Sequence, residues 1–250
     1  MKNWKKSILI VCTVIVAGYM IAAVTVFNKP PEGMTCSKVD IEISDDSEDG
    51  FLSANEIKHI LINRNLYPLE TAMGDIDTRE IEEALKKSPF VKTAECYKTP
   101  EGHICINLTQ RMPVIRIMSV NGDDYYLDDQ GGIMPNVKYS SDIVIATGYI
   151  SRKYAQAHLG RIGKYLMYDR FWQNCIEQIN VLRDGSIEIV PRIGDHIAFL
   201  GRPVFIQDKL TRLRKFYKYG LSQVGWNKYS YISLEFDNQI ICKKRKTVLS

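Results

Sequence analysis

DTREIEEALKKSPFVKTAECYKTPEGHICINLTQ, residues 77–110, changes its hydrophobic period part-way along, and that change decides the fold of the first half of the chain. Asp77 followed by Glu80 is a helix-start pattern, and Ile81, Ala84 and Leu85 then recur at helical spacing. Ser88-Pro89 stops the helix, because the residue before a proline is pushed out of the helical region. Phe90 to Tyr97 and Ile104 to Leu108 read as two strands joined by Thr99-Pro100-Glu101-Gly102, with Pro and Gly where a type I turn favours them. If the hairpin closes on that turn, Cys96 and Cys105 face each other with Cβ atoms about 4.5–5.5 Å apart. A strained disulfide between them is one expectation. Cys36, further upstream, is a competing partner, and the sequence does not choose between the pairings.

Working outward toward the N-terminus, Val39, Ile41 and Ile43 alternate with Asp40 and Glu42, the period of a half-buried strand. Asp45 to Gly50 reads as an acidic turn. Ser53 with Glu56 forms a capping box, and Ile57, Ile60 and Leu61 lie on one helical face. Asn65 to Gly74 is a loop. The order is therefore strand, helix, helix, strand, strand over 36–112.

Toward the C-terminus, 113–243 is richer in strand. Val114 to Val120, Tyr125-Tyr126-Leu127, Ile143 to Ile145, Ile179 to Val181, Ile187 to Ile189 and Ile197 to Phe199 read as short strands. Asn121-Gly122-Asp123 and Asp128-Asp129-Gln130-Gly131-Gly132 are turns. Ala155, Leu159, Ile162 and Leu166 switch to helical spacing, as do Leu210, Leu213, Tyr217 and Leu221. Tyr229 to Phe236 and Gln239 to Cys242 close with strand character. The expectation is an α+β chain whose second domain is an antiparallel sheet carrying two helices.

Ahead of both domains, residues 8–27 hold no charged side chain and as a helix would span roughly 30 Å, the thickness of a bilayer core. Lys2, Lys5 and Lys6 precede it and hold residues 1–7 in the cytoplasm. A cleaved signal peptide would carry a shorter apolar core of about 7–15 residues. Here Ala22-Ala23-Val24 makes a weak cleavage site, and the run continues to Phe27. The reading is an uncleaved anchor, with 28–35 as linker and everything after it exported. Cys36, Cys96, Cys105, Cys175 and Cys242 then lie where disulfides persist.

The net charge of +4 is spread along the chain, which argues against nucleic acid as a partner. His59, His103, His158 and His196 form no zinc-protease motif, and no Ser stands in Gly-x-Ser-x-Gly or Ser-x-x-Lys. The pairs Asp123-Asp124 and Asp128-Asp129 sit in turns beside glycine, where solvated carboxylates are ordinary. The basic tail 244–250 reads as a solvated end. The reading is a non-enzyme with no cofactor, no metal and no small-molecule substrate.

Several short motifs, weak singly, occur in one order. They are Ser88-Pro89-Phe90-Val91, Gln110-Arg111-Met112-Pro113-Val114, Tyr125-Tyr126-Leu127-Asp128 followed by Gly131-Gly132 and Pro135, and Tyr231-Ile232-Ser233-Leu234-Glu235-Phe236-Asp237-Asn238. With the anchor and the two domains, the chain resembles the FtsQ/DivIB family of bacterial cell-division proteins, and its first domain is similar to a POTRA module. The resemblance covers nearly the whole chain. It implies a scaffold that recruits and holds division proteins at the septum and helps regulate septal peptidoglycan synthesis. It also implies a site in the inner membrane, anchored through 8–27, with both domains periplasmic. The implied partners are FtsB-like and FtsL-like bitopic proteins, bound by strand addition to the C-terminal strand.

Carried onto this sequence, the contact falls on Leu234 to Ile240. It takes in Tyr231, Leu234, Glu235, Phe236, Asn238, Gln239 and Ile240, with Tyr231 and Phe236 as aromatic anchors on opposite faces. Glu235 departs from the family, many of whose members carry a basic residue there, which inverts the charge at the contact. The rival readings are a POTRA-bearing assembly or secretion component that binds exported polypeptides, and an anchored exported enzyme whose site no motif reveals.

Overall fold

The structure is a computed structural model that describes residues 2–25, 33–44, 52–136 and 143–245. The expected turn Asp45–Gly50, most of the linker, Val26 and Phe27 of the expected span, and the tail beyond Arg245 lie outside the described residues. Helix α1 runs Lys2–Thr25. Side chains along it are described from Val11 to Ala22, and among the residues so described no helix is long and apolar enough to cross a membrane. The expected span 8–27 extends past them at both ends.

Beyond α1 the chain forms two compact units that divide between Thr109 and Gln110. The first contains β1 (Lys38–Ile43), α2 (Ala54–Asn63), α3 (Thr78–Lys86), β2 (Val91–Lys98) and β3 (His103–Gln110). Its sheet order is β1-β3-β2, with β1 parallel to β3 from Lys38 opposite His103 to Ile43 opposite Leu108. Both helices begin where their caps dictate. Ser53 and Glu56 satisfy each other's backbone N–H in a complete capping box. The Asp77 carboxylate accepts from the N–H groups of Arg79 and Glu80. Ile57, Leu61, Ile81 and Leu85 pack on Ile104, Ile106 and Leu108 as one buried cluster.

The hairpin register differs from the expected one by one residue. Gly102 donates to Thr99 O at 3.2 Å, while Thr99 N–H goes past it to His103 O at 2.9 Å. Gly102 takes φ +80°, so the type I turn ends in a bulge that adds one residue to β3. Thr93 therefore meets Thr109, with 2.5 Å between their hydroxyl oxygens, and by the same offset Tyr97 faces Cys105 and Cys96 faces Ile106. Cys96 points into the core and Cys105 to the opposite face.

Nor is Cys36 placed to bridge either thiol. Ser37 N–H bonds Gly102 O, which sets Cys36 level with the hairpin turn, on the side of β3 away from β2. Two strand spacings of about 4.8 Å separate it from Cys96, beyond the reach of about 7 Å between Cα atoms that a disulfide allows. Cys105 stands opposite Asp40, four residues further along β1 than Cys36. All six cysteines are free thiols.

The second unit begins with β4 (Pro113–Ser119), β5 (Asp124–Asp128), β6 (Ile133–Pro135) and β7 (Ile145–Gly148). A helical segment follows: α4 (Arg152–Tyr154), a π-helical stretch Ala155–Leu159 and α5 (Gly160–Met167), then the short α6 (Arg170–Cys175). Next come β8 (Ile176–Val181), β9 (Ile187–Pro191), β10 (Ile197–Gly201) and α7 (Ile206–Phe216). A π-helical stretch Tyr217–Leu221, α8 (Ser222–Val224), β11 (Tyr229–Ser233) and β12 (Ile241–Lys244) complete it.

The sheet has nine strands in the order β12-β11-β10-β9-β8-β7-β4-β5-β6. It is mixed, not antiparallel as expected: β4 with β7, β7 with β8, and β10 with β11 are parallel. For the last two pairs the physical reason is connectivity. Each of the two main helical segments joins one strand to its sheet neighbour, and a helical crossover returns the chain in the same direction.

Both crossovers cover one face of the sheet. There Ile115, Ile117, Leu127, Ile179, Ala198 and Ile232 are fully buried against Leu159, Leu166, Trp172, Leu210 and Leu213. The motif residues at the start of the unit hold its first turn. Arg111 donates to Asp128 at 2.7–2.8 Å, and Asp128 also accepts from the N–H of Gly132 at 2.6 Å. A Cβ on Gly132 would come within 2.1 Å of the Arg111 guanidinium, so a side chain there would push that ion pair aside.

Candidate partner-binding surface

The sheet ends at β12, so the residues expected to form the binding strand are placed relative to that edge. β11 is sandwiched between β10, parallel to it, and β12, antiparallel to it. Ile232 stands opposite Ala198 on one side and Cys242 on the other, with its side chain in the core. The ladder continues one residue past β11, where Leu234 N–H bonds Phe199 O at 2.8 Å.

Leu234 to Ile240 is not a strand. It is the loop that joins β11 to β12, and Asn238 within it takes φ +61°. Asn tolerates that left-handed conformation better than most residues, and Asp237-Asn238 is the local signal that the strand has ended. Leu234 itself is fully buried and belongs to the core, so, contrary to expectation, its side chain is not open to a partner. Glu235, Phe236, Asn238 and Gln239 are exposed, Phe236 by half of its surface, and Ile240 packs partly against the core.

Tyr231 lies on the sheet face away from the helices, its ring stacked on Phe199 with centroids 5.9 Å apart. Partial burial, reinforced by the charges of Glu188 and Glu235, raises its phenol above the ordinary tyrosine range. The strand-alternation argument that opposed Tyr231 to Phe236 lapses, because regular pairing stops at Ser233.

The true edge strand presents Ile241, Lys243 and Lys244 to solvent. A bulge at Ser230 shifts the pairing from Tyr231 opposite Lys243 to Tyr229 opposite Lys244. Arg245 N–H bonds Lys228 O at 3.0 Å, toward β11. Backbone groups alternate along a strand, so the N–H groups of Lys243 and Ile241 share that direction. Those of Cys242 and Lys244 face the open edge.

Two cations on one face of α7 anchor the ends of the parallel pair. Lys209 is buried and donates to Leu200 O at 2.7 Å, within β10, and to Arg202 O at 3.0 Å, just past it. Burial, then the charge of Arg212, pushes its ammonium below the ordinary lysine range. Arg212, three residues on, does the same past β11. It donates to Leu234 O at 3.0 Å, Phe236 O at 2.7 Å and Gln239 O at 3.2 Å. Beside it a groove of about 380 Å³ is lined by Lys215, Phe216, Tyr219, Asn238, Gln239 and Ile240.

Sequence reasoning missed Arg212 and the outward edge of β12. The turn signal at Asp237-Asn238 marks where the strand breaks. Nothing local to Arg212 announces its role, because its acceptors lie 22 to 27 residues away. Among the described residues no cluster of three or more His, Cys, Asp or Glu is arranged to hold a metal ion.

Two family models match the chain. One, described as FtsQ/DivIB, C-terminal related, covers residues 112–243 and so includes all of the mixed sheet but Lys244, the last residue of β12. The chain belongs to the FtsQ/DivIB family. The second, a POTRA-like domain, covers residues 34–109 and so takes in the first unit's sheet and helices. No curated protein matches the chain. FtsQ/DivIB membership supports a role in cell division and, in general terms, interactions with other division proteins.

Proposed function

We propose that this chain is a bitopic, non-enzymatic scaffold of the division machinery that holds FtsB-like and FtsL-like proteins at the septum. Through them it would help regulate septal peptidoglycan synthesis. The observation that carries the reading is the edge of β12, the last of nine strands, on whose outer side no strand pairs among the described residues. An extended segment of a partner adds to such an edge through backbone hydrogen bonds, and flanking side chains supply specificity.

The proposed contact set is Tyr231, Glu235, Phe236, Asn238, Gln239 and Ile240 at the loop end, with Ile241, Lys243 and Lys244 from the edge itself. Lys243, Lys244 and Arg245 make the edge basic, which favours an acidic partner segment, while Glu235 favours a basic residue at the loop end. The anchor is α1. Its described apolar side chains, Val11, Val14, Ile15, Val16, Met20 and Ile21 among them, are exposed, as expected of a helix whose solvent is lipid. In this reading residues 8–27 span the inner membrane, the N-terminus is cytoplasmic and the two units are periplasmic.

The test is affinity capture of the tagged full-length chain from detergent-solubilised native membranes, with mass spectrometry of what accompanies it. Two small bitopic coiled-coil proteins should be recovered, and both should be lost with Phe236→Ala combined with Ile241→Asp. Absence of such partners, or undiminished recovery by the folded double variant, would overturn the reading.

A further inference from the structure

The loop from Leu234 to Ile240 decides where β12 lies, yet it is poorly held by its own hydrogen bonds. Within it, Glu235 N–H reaches the Ser233 hydroxyl at 3.4 Å, a long contact. What fixes it is a side chain of another element. The Arg212 guanidinium spans the loop and engages three carbonyls, at its start, middle and end. A planar fork with several fixed donors is suited to this, whereas an ammonium is a single point.

The neighbouring contacts show that the loop is seated on α7 and on the end of β10. Gly201 has φ +68°, and a Cβ there would lie 3.3 Å from the Glu235 side chain. Lys209 secures that same strand end from one helical step earlier. The helix that carries the chain from β10 to β11 thus also holds the segment that carries it from β11 to β12.

We infer that Arg212 is the positioning residue of the partner edge: by clamping Leu234, Phe236 and Gln239 it fixes the β11–β12 loop, and so presents β12 in one register with Phe236 outward. The inference rests on the strand-addition reading above. A partner that adds a strand needs β12 already extended and paired. An edge that frays must be ordered during binding, which lowers apparent affinity by the fraction of molecules in the competent state. Arg212 need not touch the partner for its loss to weaken binding.

The experiment combines amide hydrogen exchange with the membrane capture, on the full-length chain and the variants Arg212→Gln, Arg212→Lys and Lys244→Pro. Lys244→Pro deletes an outward N–H and leaves the pairing with β11, so it reports on the edge alone. Arg212→Gln should raise exchange at least about tenfold across residues 234–244, leave the rest of the second unit unchanged, and cut partner recovery by a similar factor. Arg212→Lys, keeping one or two of the three contacts, should restore part of both. Lys244→Pro should abolish recovery while residues 234–240 exchange as in the parent.

Wild-type recovery by Arg212→Gln despite a loosened loop, or no loosening at all, overturns the role of Arg212 and leaves the edge reading standing. Wild-type recovery by Lys244→Pro overturns the edge reading and the role of Arg212 with it. If Arg212→Gln loosens the whole unit, Arg212→Lys decides: a loosened loop with full recovery overturns the proposal, and reduced recovery graded with the loosening supports it.

Discussion

The chain contains two hairpins that solve the same problem differently. In the first unit, β2 and β3 are joined by Thr99 to Gly102, and the turn carries its own instructions: proline sets the bend and glycine at φ +80° inserts the bulge. In the second, β11 and β12 are joined by seven residues whose carbonyls are gathered by an arginine from α7. One register is written locally and the other is imposed by tertiary structure. A locally written hairpin is rigid on its own account. One held from outside loosens when a single distant side chain is changed, which suits the edge proposed to receive another chain.

Substitutions at the two hairpins should therefore fail in different ways. The largest effect is expected from Leu234→Ala, which empties a fully buried position at the root of the second hairpin. It should destabilise the second unit by about 2–5 kcal/mol, read as a shift in denaturant midpoint by tryptophan fluorescence. Phe236→Ala, two residues on but half exposed, should cost under about 1 kcal/mol. Equal losses would mean the loop is packed otherwise than described.

Gly102→Ala should come next, at about 1–3 kcal/mol. The alanine would have to adopt φ +80°, and its Cβ would lie 2.9 Å from the Met34 sulfur. Hydrogen exchange should place the damage in 91–110. A neutral effect would show that the first register is not set by its turn.

A smaller effect concerns pH. His196, at the head of β10, is buried, with its Nε2 2.7 Å from the Tyr217 hydroxyl, and burial pushes it below the ordinary imidazole range. Its surroundings include the Arg245 and Asp195 charges, and Arg245 Nη2 also donates to Asp195 O at 2.6 Å. Because the folded value is depressed, the unfolded chain takes up the proton first as pH falls. Stability should thus be complete above about pH 6.5 and decline below it, by at most about 1.4 kcal/mol per pH unit. His196→Gln should flatten that decline in pH-dependent denaturation, and an unchanged slope would remove His196 from the account. The smallest effect is expected of Asn238→Gly, which suits φ +61° and should move stability by less than about 0.5 kcal/mol.

Much of the fold was legible because its signals are local. The capping box at Ser53, the Asp77 cap and the apolar stripes of α2, α3 and α7 need no knowledge of distant residues. The parallel pairings were missed, although a helix between two strands implies a crossover. The hairpin register was off by one because the glycine that ends the turn also starts a bulge. At the candidate site, Phe236 and Asn238 stand out in the sequence, but the edge they flank depends on Arg212. That dependence crosses 22 to 27 residues of chain and leaves no periodic trace.

The most direct test of strand addition is amide exchange along β12 in the co-purified complex compared with the free chain. Strand addition predicts that the Cys242 and Lys244 amides, whose N–H groups face the open edge, slow by at least about tenfold on binding. Those of Ile241 and Lys243, already paired with β11, should change little. Partners bound while Cys242 and Lys244 exchange as in the free chain would contradict it and move the contact to another surface.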